Sequence, residues 1–252
     1  MPKFFAPEAA PGARFLVLTG ENAAHARVLR LKAGESVTVC DAKGTDFQCV
    51  ISDIAPEQVS LVVQSEAPSR AEPGVFCSVY MAFAKAEKLE HVVQKATELG
   101  AGEIVAFPSS RCVARLDEKT LAKKLERWQK IAREAVKQCA RVHAPEVKLP
   151  RKLSAMKEEL NALDVLIVPW EDARDGSIAQ CLAPFADRES ISVGILIGPE
   201  GGIAPEEAEW LTREANAKLV TLGPRILRTE TAGLATAIAS QTIVMALRGE
   251  ME

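Results

Sequence analysis

Two glycine-rich stretches in the C-terminal part of the chain contain the residue types best suited to chemistry. They are Leu196–Ile203, which reads LIGPEGGI, and Leu222–Thr231, which reads LGPRILRTET. Each begins where a short apolar run ends, Val193–Ile197 and Leu219–Leu222, and each is followed by a helical pattern. Both stretches are therefore predicted to be turns that connect a strand to a helix.

Turns of this kind commonly form a ligand site, because the crevice of an open α/β sheet lies outside the carboxyl ends of its strands. A Gly-Pro pair can also be ordinary turn chemistry. Two such pairs, accompanied by Gly201, Gly202, Arg225, Arg228 and Glu230, favour a small-molecule site. The chain has no G-x-x-x-x-G-K-[ST] phosphate loop and no G-x-G-x-x-G motif after its first α/β strand, so nucleoside triphosphates and dinucleotides are disfavoured as ligands.

The same residues suit a reaction that depends on positioning and charge. Glycines let backbone groups approach a ligand closely, and the Ile and Leu side chains of both stretches supply apolar walls. Arg225 and Arg228 could stabilise a developing anion or hold phosphates, and Glu200 or Glu230 could accept a proton directly or through water. These acids could equally orient backbone amides or neutralise a positive charge on the ligand.

The two stretches closely resemble the signature of the RsmE family of 16S rRNA (uracil-N3)-methyltransferases, which belongs to the SPOUT superfamily. Weaker similarity extends upstream to His25–Arg30, Gln94–Gly100, Arg111-Cys112 and Gln138–Arg141, so that it covers essentially the whole chain. The resemblance implies S-adenosyl-L-methionine as cofactor and N3 of a uridine in 16S rRNA, free or in the small ribosomal subunit, as the methylated atom. It also implies a homodimer.

The resemblance and the charge pattern together predict three groups of site residues. Those expected to act in catalysis are Arg228, Glu230 and Glu200. Those expected to bind the cofactor are Ile197, Gly198, Pro199, Glu200, Gly201, Gly202, Leu222, Gly223, Ile226, Leu227, Arg228, Thr231 and Ala232. Those expected to contact RNA are His25, Arg27, Arg30, Arg111, Arg115, Arg127, Lys130, Arg141 and Arg225.

Two other functions stay open at the sequence level. A related SPOUT enzyme that methylates a ribose 2′-hydroxyl or a tRNA would share the cofactor stretches. A non-catalytic RNA-binding factor would be expected to have lost the Gly-Pro motifs, which this chain retains.

The composition of the 252-residue chain is that of an ordinary globular protein, with 48% hydrophobic and 26% charged residues. No apolar run approaches the ~18 residues of a membrane span, and the first residues do not resemble a signal peptide, so a cytoplasmic protein without a membrane partner is expected. The six cysteines are scattered singly, which implies neither a metal site nor disulfides.

The net charge of −3 conceals a strong asymmetry along the chain. Residues 111–152 contain 13 Lys and Arg against 5 Asp and Glu, whereas residues 153–252 contain 8 against 16. A helix predicted over Glu118–Arg141 has a buried apolar stripe and, opposite it, a cationic row. This row could be a solvated surface or could lie along an RNA backbone. Its members are Lys123, Arg127, Lys130, Lys137 and Arg141.

The pattern of elements predicts two domains with a linker at residues 65–74. Residues 1–70 contain a short helix over Asn22–Leu31 and three predicted strands, which the resemblance identifies as a PUA-like β-barrel that binds RNA. Residues 74–252 alternate strand and helix and predict an α/β domain with a parallel sheet. Its first predicted elements are strand Val75–Phe83, a helix over Ala86–Leu99, strand Ile104–Phe107, helix Glu118–Arg141 and strand Val165–Val168.

The segments next to the glycine-rich stretches add two expectations. Glu171 follows the strand Val165–Val168 and could reach the same crevice, or could be a solvated loop acid. The last predicted helix, Ala232–Leu247, is apolar nearly all round and must be buried on most sides, either in the domain centre or by a second subunit. The resemblance implies that this C-terminal segment is threaded as a trefoil knot.

Overall fold

The computed structural model describes residues 1–249 except 42, 70, 73, 86, 114–116, 150 and 151, and describes Glu118 by its backbone alone. The chain divides into two compact units. Unit 1 is formed by Met1–Glu72 together with Ala140–His143, and unit 2 by the remaining residues. A single boundary along the sequence therefore cannot separate the two units, because Ala140–His143 belong to unit 1.

Unit 1 is a curled five-stranded sheet with strand order β1-β3-β4-β5-β2 and one helix. The predicted strands are present as β3, β4 and β5, and two N-terminal strands add to them. The buried side chains of Phe4, Leu18, Val39, Phe47 and Leu61 fill the centre of the unit. The elements are β1 (Lys3–Phe5), β2 (Phe15–Thr19), α1 (Gly20–Val28), β3 (Ser36–Cys40), β4 (Thr45–Ile54) and β5 (Gln58–Pro68).

Unit 2 is a six-stranded sheet with strand order β11-β9-β10-β6-β7-β8, and every pair in it is parallel. Its elements are β6 (Phe76–Ala82), α2 (Lys88–Glu98), β7 (Ala101–Phe107), α3 (Glu118–Cys139), β8 (Glu146–Lys148), α4 (Lys157–Asn161), β9 (Val165–Pro169), α5 (Ile178–Leu182), β10 (Ser192–Ile197), α6 (Pro205–Glu214), β11 (Ala217–Val220) and α7 (Thr229–Leu247).

Helices cover both faces of this sheet, as the alternation of strand and helix predicts. Val79 and Met81 of β6 belong to one buried cluster, with residues of α2, α3 and α7, whereas Tyr80 and Ala82 belong to another, with residues of α4 and α6. Successive residues of one strand thus enter opposite cores, as the pleat of a strand requires. The predicted parallel α/β domain is confirmed.

The carboxyl ends of three neighbouring strands meet at one edge of the sheet. β9 lies between β10 and β11, so the segments that follow Pro169, Ile197 and Val220 emerge side by side. The two glycine-rich stretches are therefore loops at this edge, as predicted, and Glu171 follows the strand between them. They are called the first loop, residues 198–204, and the second loop, residues 221–228.

The last helix, α7, begins at Thr229, three residues earlier than predicted, and packs on α2, α5 and β10. The side chains of Thr236, Ser240 and Gln241 are buried, and the side-chain amide of Gln241 donates a hydrogen bond to the carbonyl of Leu99 at 2.6 Å. One side is not covered within the chain, because Ile238 is 44% and Met245 38% exposed. The trefoil knot stays a prediction from the resemblance.

The long helix α3 ends at Cys139 and not at Arg141, so the prediction for its C-terminal end was wrong. Ala140 has a φ of 60°, which takes the chain out of the helix without a glycine to signal the stop. The side chain of Arg141 is buried and binds Glu72. The N-terminal end of α3 is capped by Asp117, whose carboxylate accepts from the Thr120 N–H at 2.7 Å.

The described residues contain neither a membrane-spanning helix nor a metal-binding cluster. None of the helices traced there combines the length and apolar character that a membrane crossing requires. Likewise, no cluster of three or more His, Cys, Asp or Glu side chains within the described ranges is arranged to hold a metal ion.

Candidate functional site

The first and second loops enclose a cleft of about 470 Å³ at the carboxyl edge of the unit 2 sheet. The segment after β9 closes it from the third side. The lining residues are Lys88, Pro169, Trp170, Glu171, Ile197, Gly198, Pro199, Glu200, Gly201, Gly202, Ile203, Thr221, Leu222, Gly223, Arg225, Ile226, Leu227, Arg228, Thr229 and Ala232.

The first loop is folded so tightly that only glycine fits at two of its positions. The N–H of Gly202 donates to the carbonyl of Pro199 at 2.9 Å, and Gly202 has a φ of +72°. A Cβ atom on Gly202 would collide with the carboxylate of Glu171, and one on Gly198 would lie 2.8 Å from Ile203 Cγ1. The absence of side chains at both positions is therefore what lets the loop fold this closely on itself and on Glu171.

The second loop leads directly into α7 and is tied to the first loop by a buried hydrogen bond. The hydroxyl of Thr229, at the first position of α7, donates to the carbonyl of Gly198. Gly223 has a φ of +96° and open space where a Cβ atom would stand. Ile226 is 84% exposed at the rim, whereas Leu227 is half-buried and lines the cleft.

Two glutamates and a lysine form a charged cluster beside the cleft. Glu200 Oε1 accepts from the Lys85 N–H at 2.9 Å and lies 3.1 Å from Lys88 Nζ. The same ammonium lies 3.6 Å from Glu230 Oε2. Burial alone would raise the pKa of Glu200, but the N–H of Lys85 and the charge of Lys88 outweigh it and hold this pKa below its ordinary value. Glu200 is therefore a carboxylate at neutral pH.

The predicted cofactor-binding residues line the cleft with one exception. Thr231 is exposed on the first turn of α7 and is not among the lining residues. Of the three residues expected to act in catalysis, Glu200 and Arg228 line the cleft, but Glu230 does not, because Lys88 lies between its carboxylate and Glu200. Glu171 does line it, as one of the two sequence interpretations expected.

Lys88 and Trp170 are site residues that the sequence reasoning missed. Lys88 stands in the first turn of α2, far from either glycine-rich stretch in sequence, and nothing in the local pattern points to the cleft. Trp170 could have been found, because it immediately follows a strand that ends at the same edge. Its indole N–H donates to the carbonyl of Ile203 at 3.3 Å, which packs the ring against the first loop.

The arginines expected to contact RNA near the cleft are accessible. Arg225 and Arg228 are exposed, and neither side chain forms a hydrogen bond or an ion pair with the residues that the structure describes. Arg111 is also exposed, and its guanidinium donates to the carbonyl of Gly201 at 3.0 Å. Arg115 lies outside the described residues.

The cationic row on α3 has fewer members than the sequence suggested, and some of them already pair with acidic side chains. Lys123, Arg127 and Lys130 are exposed, but Arg127 pairs with Glu90 of α2 at 2.6 Å, and Lys130 lies 3.8 Å from Glu134. Arg141 does not extend the row, since its side chain is 5% exposed and pairs with Glu72 within unit 1.

The cationic side chains expected to contact RNA in unit 1 lie on its surface. His25 and Arg27 are exposed on α1, and Arg30 is exposed just beyond the helix with a φ of 56°. The ring of His25 packs edge-on against buried Phe4, with 5.8 Å between centroids, which fixes where the imidazole lies.

Comparison with known proteins agrees with this geometry. The family described as RNA methyltransferase domain matches residues 72–241, and the one described as RNA methyltransferase PUA domain matches residues 18–64. The ribosomal RNA small subunit methyltransferase E of Bacillus subtilis is 34% identical over 92% of either chain.

Two solved structures superimpose over almost the entire chain. The ribosomal RNA small subunit methyltransferase E of Neisseria gonorrhoeae, bound to S-adenosyl methionine, has a TM-score of 0.71 and 28% identity over 96% of this chain and 98% of its own. A methyltransferase of Legionella pneumophila with the same bound cofactor has a TM-score of 0.69 and 28% identity, over 97% of this chain and 96% of its own.

These matches confirm the predicted SPOUT-type α/β fold with a PUA-like domain before it. They also confirm the family that the two glycine-rich stretches indicated. The chain belongs to the RNA methyltransferase family, among the ribosomal RNA small subunit methyltransferases E.

Proposed function

We propose that this protein transfers the methyl group of S-adenosylmethionine to N3 of a uridine in 16S rRNA, free or in the small ribosomal subunit, in the cytoplasm. The observation that carries the proposal is the single cleft built by both glycine-rich loops, with Glu200 and Arg228 on its wall. The names of the relatives support an rRNA substrate, and the two solved relatives with bound cofactor support the choice of methyl donor.

The cleft fits the cofactor in size and chemistry. Its volume of about 470 Å³ lies within the ~300–1,000 Å³ usual for small-ligand sites. Because Gly198, Gly202 and Gly223 have no side chains, the backbone of both loops can approach a ligand closely, and Ile197, Leu222 and Leu227 provide the apolar wall that a purine ring requires. When bound, S-adenosylmethionine supplies an electrophilic methyl group.

The side chains around the cleft then position the nucleophile and stabilise its charge. Uracil N3 must lose a proton before it can attack, so negative charge develops on the ring. The guanidinium of Arg228, which has no partner among the described residues, is available to stabilise that charge. Arg225, exposed on the same loop, is placed to hold phosphates of the substrate.

Glu200 is the better placed of the two candidate proton acceptors. The hydrogen bonds from Lys85 and Lys88 both end on Oε1, so Oε2 can accept the N3 proton directly or through water. Its lowered pKa makes it a weak base, and we therefore assign it to relaying a proton and not to driving the deprotonation. Glu230, behind Lys88, is assigned a supporting role.

Recognition of RNA is assigned to His25, Arg27 and Arg30 of unit 1 and to the exposed cations of α3. The match of residues 18–64 to a PUA domain supports the first group. A direct test incubates the purified protein and labelled S-adenosylmethionine with free 16S rRNA, with small ribosomal subunits or with tRNA, in separate reactions. We expect label in 3-methyluridine. Label in a 2′-O-methyl nucleoside, label only in tRNA, or no label would contradict the proposal.

A homodimer is part of the proposal, because α7 exposes an apolar face that includes Ile238 and Met245. We expect Ile238→Glu to give a monomer in sedimentation experiments. Phe15→Glu, which places a charge on an exposed apolar residue of unit 1, is the matched control and should sediment as wild type does. An unchanged sedimentation coefficient for Ile238→Glu would remove this face from the interface.

A further inference from the structure

The ammonium of Lys88 is shared between two carboxylates that come from different parts of the fold. Glu200 belongs to the first loop and Glu230 to the first turn of α7, and they lie 3.1 and 3.6 Å from Lys88 Nζ. The three side chains are 30%, 24% and 18% exposed, so the cluster is partly shielded from solvent. Screening by water is correspondingly reduced, and the charges interact more strongly than on an open surface.

Glu230 depends on this contact more than Glu200 does. Glu200 also accepts the backbone N–H of Lys85. Glu230 Oε2 is buried and has no hydrogen bond within the described part of the chain, so the nearby ammonium is what offsets its charge there. Without Lys88 two carboxylates would share one region with no cation between them, which is unfavourable unless one takes up a proton or they move apart.

We infer that Lys88 is a positioning residue that holds the first loop and the start of α7 together beside the cofactor cleft. The contact depends on the negative charges of Glu200 and Glu230. Because these segments form two walls of the cleft, affinity for S-adenosylmethionine should depend on Lys88 and on pH. The inference rests on the proposed cofactor cleft and is independent of which RNA atom is methylated.

Other charged groups near the cluster are already engaged or point elsewhere. Two residues further along α2, Glu90 pairs with Arg127 of α3. Arg228 and Glu171 line the cleft, and the carboxylate of Glu171 lies against Gly202. Burial raises the pKa of the Cys112 thiol and keeps it neutral, and the nearby charge of Glu200 acts in the same direction. The carboxylates that contact Lys88 Nζ are therefore those of Glu200 and Glu230.

The test measures S-adenosylmethionine binding by calorimetry between about pH 4 and pH 8, a range that reaches down to the ordinary glutamate pKa of about 4.3. We expect Lys88→Met to weaken binding roughly tenfold at neutral pH, the effect of losing one charge-assisted hydrogen bond. Its binding should also fail at higher pH than that of the wild type, because loss of an opposite charge raises carboxyl pKa values.

Three further variants make the result specific. Lys88→Arg keeps the charge and should restore most of the affinity. Lys88→Met combined with Glu230→Gln removes the repulsion and should recover affinity and the wild-type pH profile, even if Lys88→Met alone folds poorly. Lys157→Met breaks a Lys–Glu pair with Glu214 on other helices and should bind as the wild type does.

Two results would overturn the inference, and a third would overturn the proposed cleft on which it rests. If Lys88→Met binds with the wild-type affinity and pH profile, or if the double variant binds no better than the single one, Lys88 does not position the loops. If the wild type itself does not bind S-adenosylmethionine, the proposed cofactor cleft is wrong, and the failure lies there and not with Lys88.

Discussion

The carboxylate of Glu171 occupies the space that a Cβ atom on Gly202 would need. The two residues lie on segments that follow neighbouring strands, β9 and β10, and this contact makes the first loop and the segment after Pro169 one continuous wall of the cleft. Glycine at this position is favoured by its φ of +72°, and any larger side chain would also have to displace the Glu171 carboxylate.

Gly202→Val should therefore abolish cofactor binding, because its side chain would displace Glu171 and the first loop. Calorimetry with S-adenosylmethionine measures the effect, and circular dichroism checks that the fold survives. Gly34→Ala is the control, since Gly34 has a similar φ of +88° but open space around it and lies in unit 1. Wild-type affinity in Gly202→Val would exclude the first loop from the cofactor site.

Arg228→Ala should slow single-turnover methylation roughly 100-fold, the scale for removing one donor that stabilises charge in the transition state. Cofactor affinity should change little, because the guanidinium is exposed at the rim. Arg228→Lys should rescue only part of the rate, since a point charge does not reproduce the planar fork. If both variants instead lose cofactor affinity, Arg228 supports the loop and its catalytic role would be withdrawn.

Lys123→Glu together with Lys130→Glu should weaken RNA binding and reduce its dependence on salt. Each lost phosphate contact lowers the slope of log affinity against log salt by roughly one unit or less. Fluorescence anisotropy with an rRNA fragment at several salt concentrations gives the slope. Lys157→Glu is the control on another surface. An unchanged slope in the double variant would show that this face of α3 is exposed to solvent and does not contact RNA.

Glu72→Gln should destabilise the protein by about 2 kcal/mol at neutral pH, less than a fully buried pair because Glu72 is 28% exposed. Burial would raise the pKa of Glu72, but Arg141 and the N–H groups of Val142 and His143 hold it below its ordinary value. A carboxyl with a lowered pKa stabilises the fold above its unfolded pKa and loses that contribution as pH falls through the folded one.

Denaturant unfolding as a function of pH tests this expectation. The difference between wild type and Glu72→Gln should shrink as pH falls below the ordinary carboxyl value of 4.5. Glu214→Gln, which removes an exposed ion pair with Lys157, should have little effect at any pH. A difference that stays constant down to strongly acid pH would mean that the Glu72 charge contributes nothing.

Local patterns in the sequence were sufficient to predict the parallel sheet and both loops. Apolar runs that end at Gly-Pro pairs mark strand ends, and parallel strands bring those ends to one edge. The strands Lys3–Phe5 and Phe15–Thr19 were missed, because runs of three and five residues carry too little periodicity to be recognised.

Contacts between residues distant in sequence could not be predicted. Lys85 and Glu200 are 115 positions apart, and only the completed sheet brings α2 beside the first loop. The same holds for Arg141, whose spacing fits the cationic row of α3. Its actual position depends on the left-handed conformation of Ala140 and on Glu72, and neither leaves a signal in the helical periodicity.

Formation of 3-methyluridine in 16S rRNA can be measured by nucleoside mass spectrometry of rRNA from cells with and without the gene. We predict that 3-methyluridine disappears from 16S rRNA without the gene, returns with a plasmid copy of the wild type, and does not return with Gly202→Val. Undiminished 3-methyluridine in the cells without the gene, or loss of a 2′-O-methyl nucleoside in its place, would contradict the account.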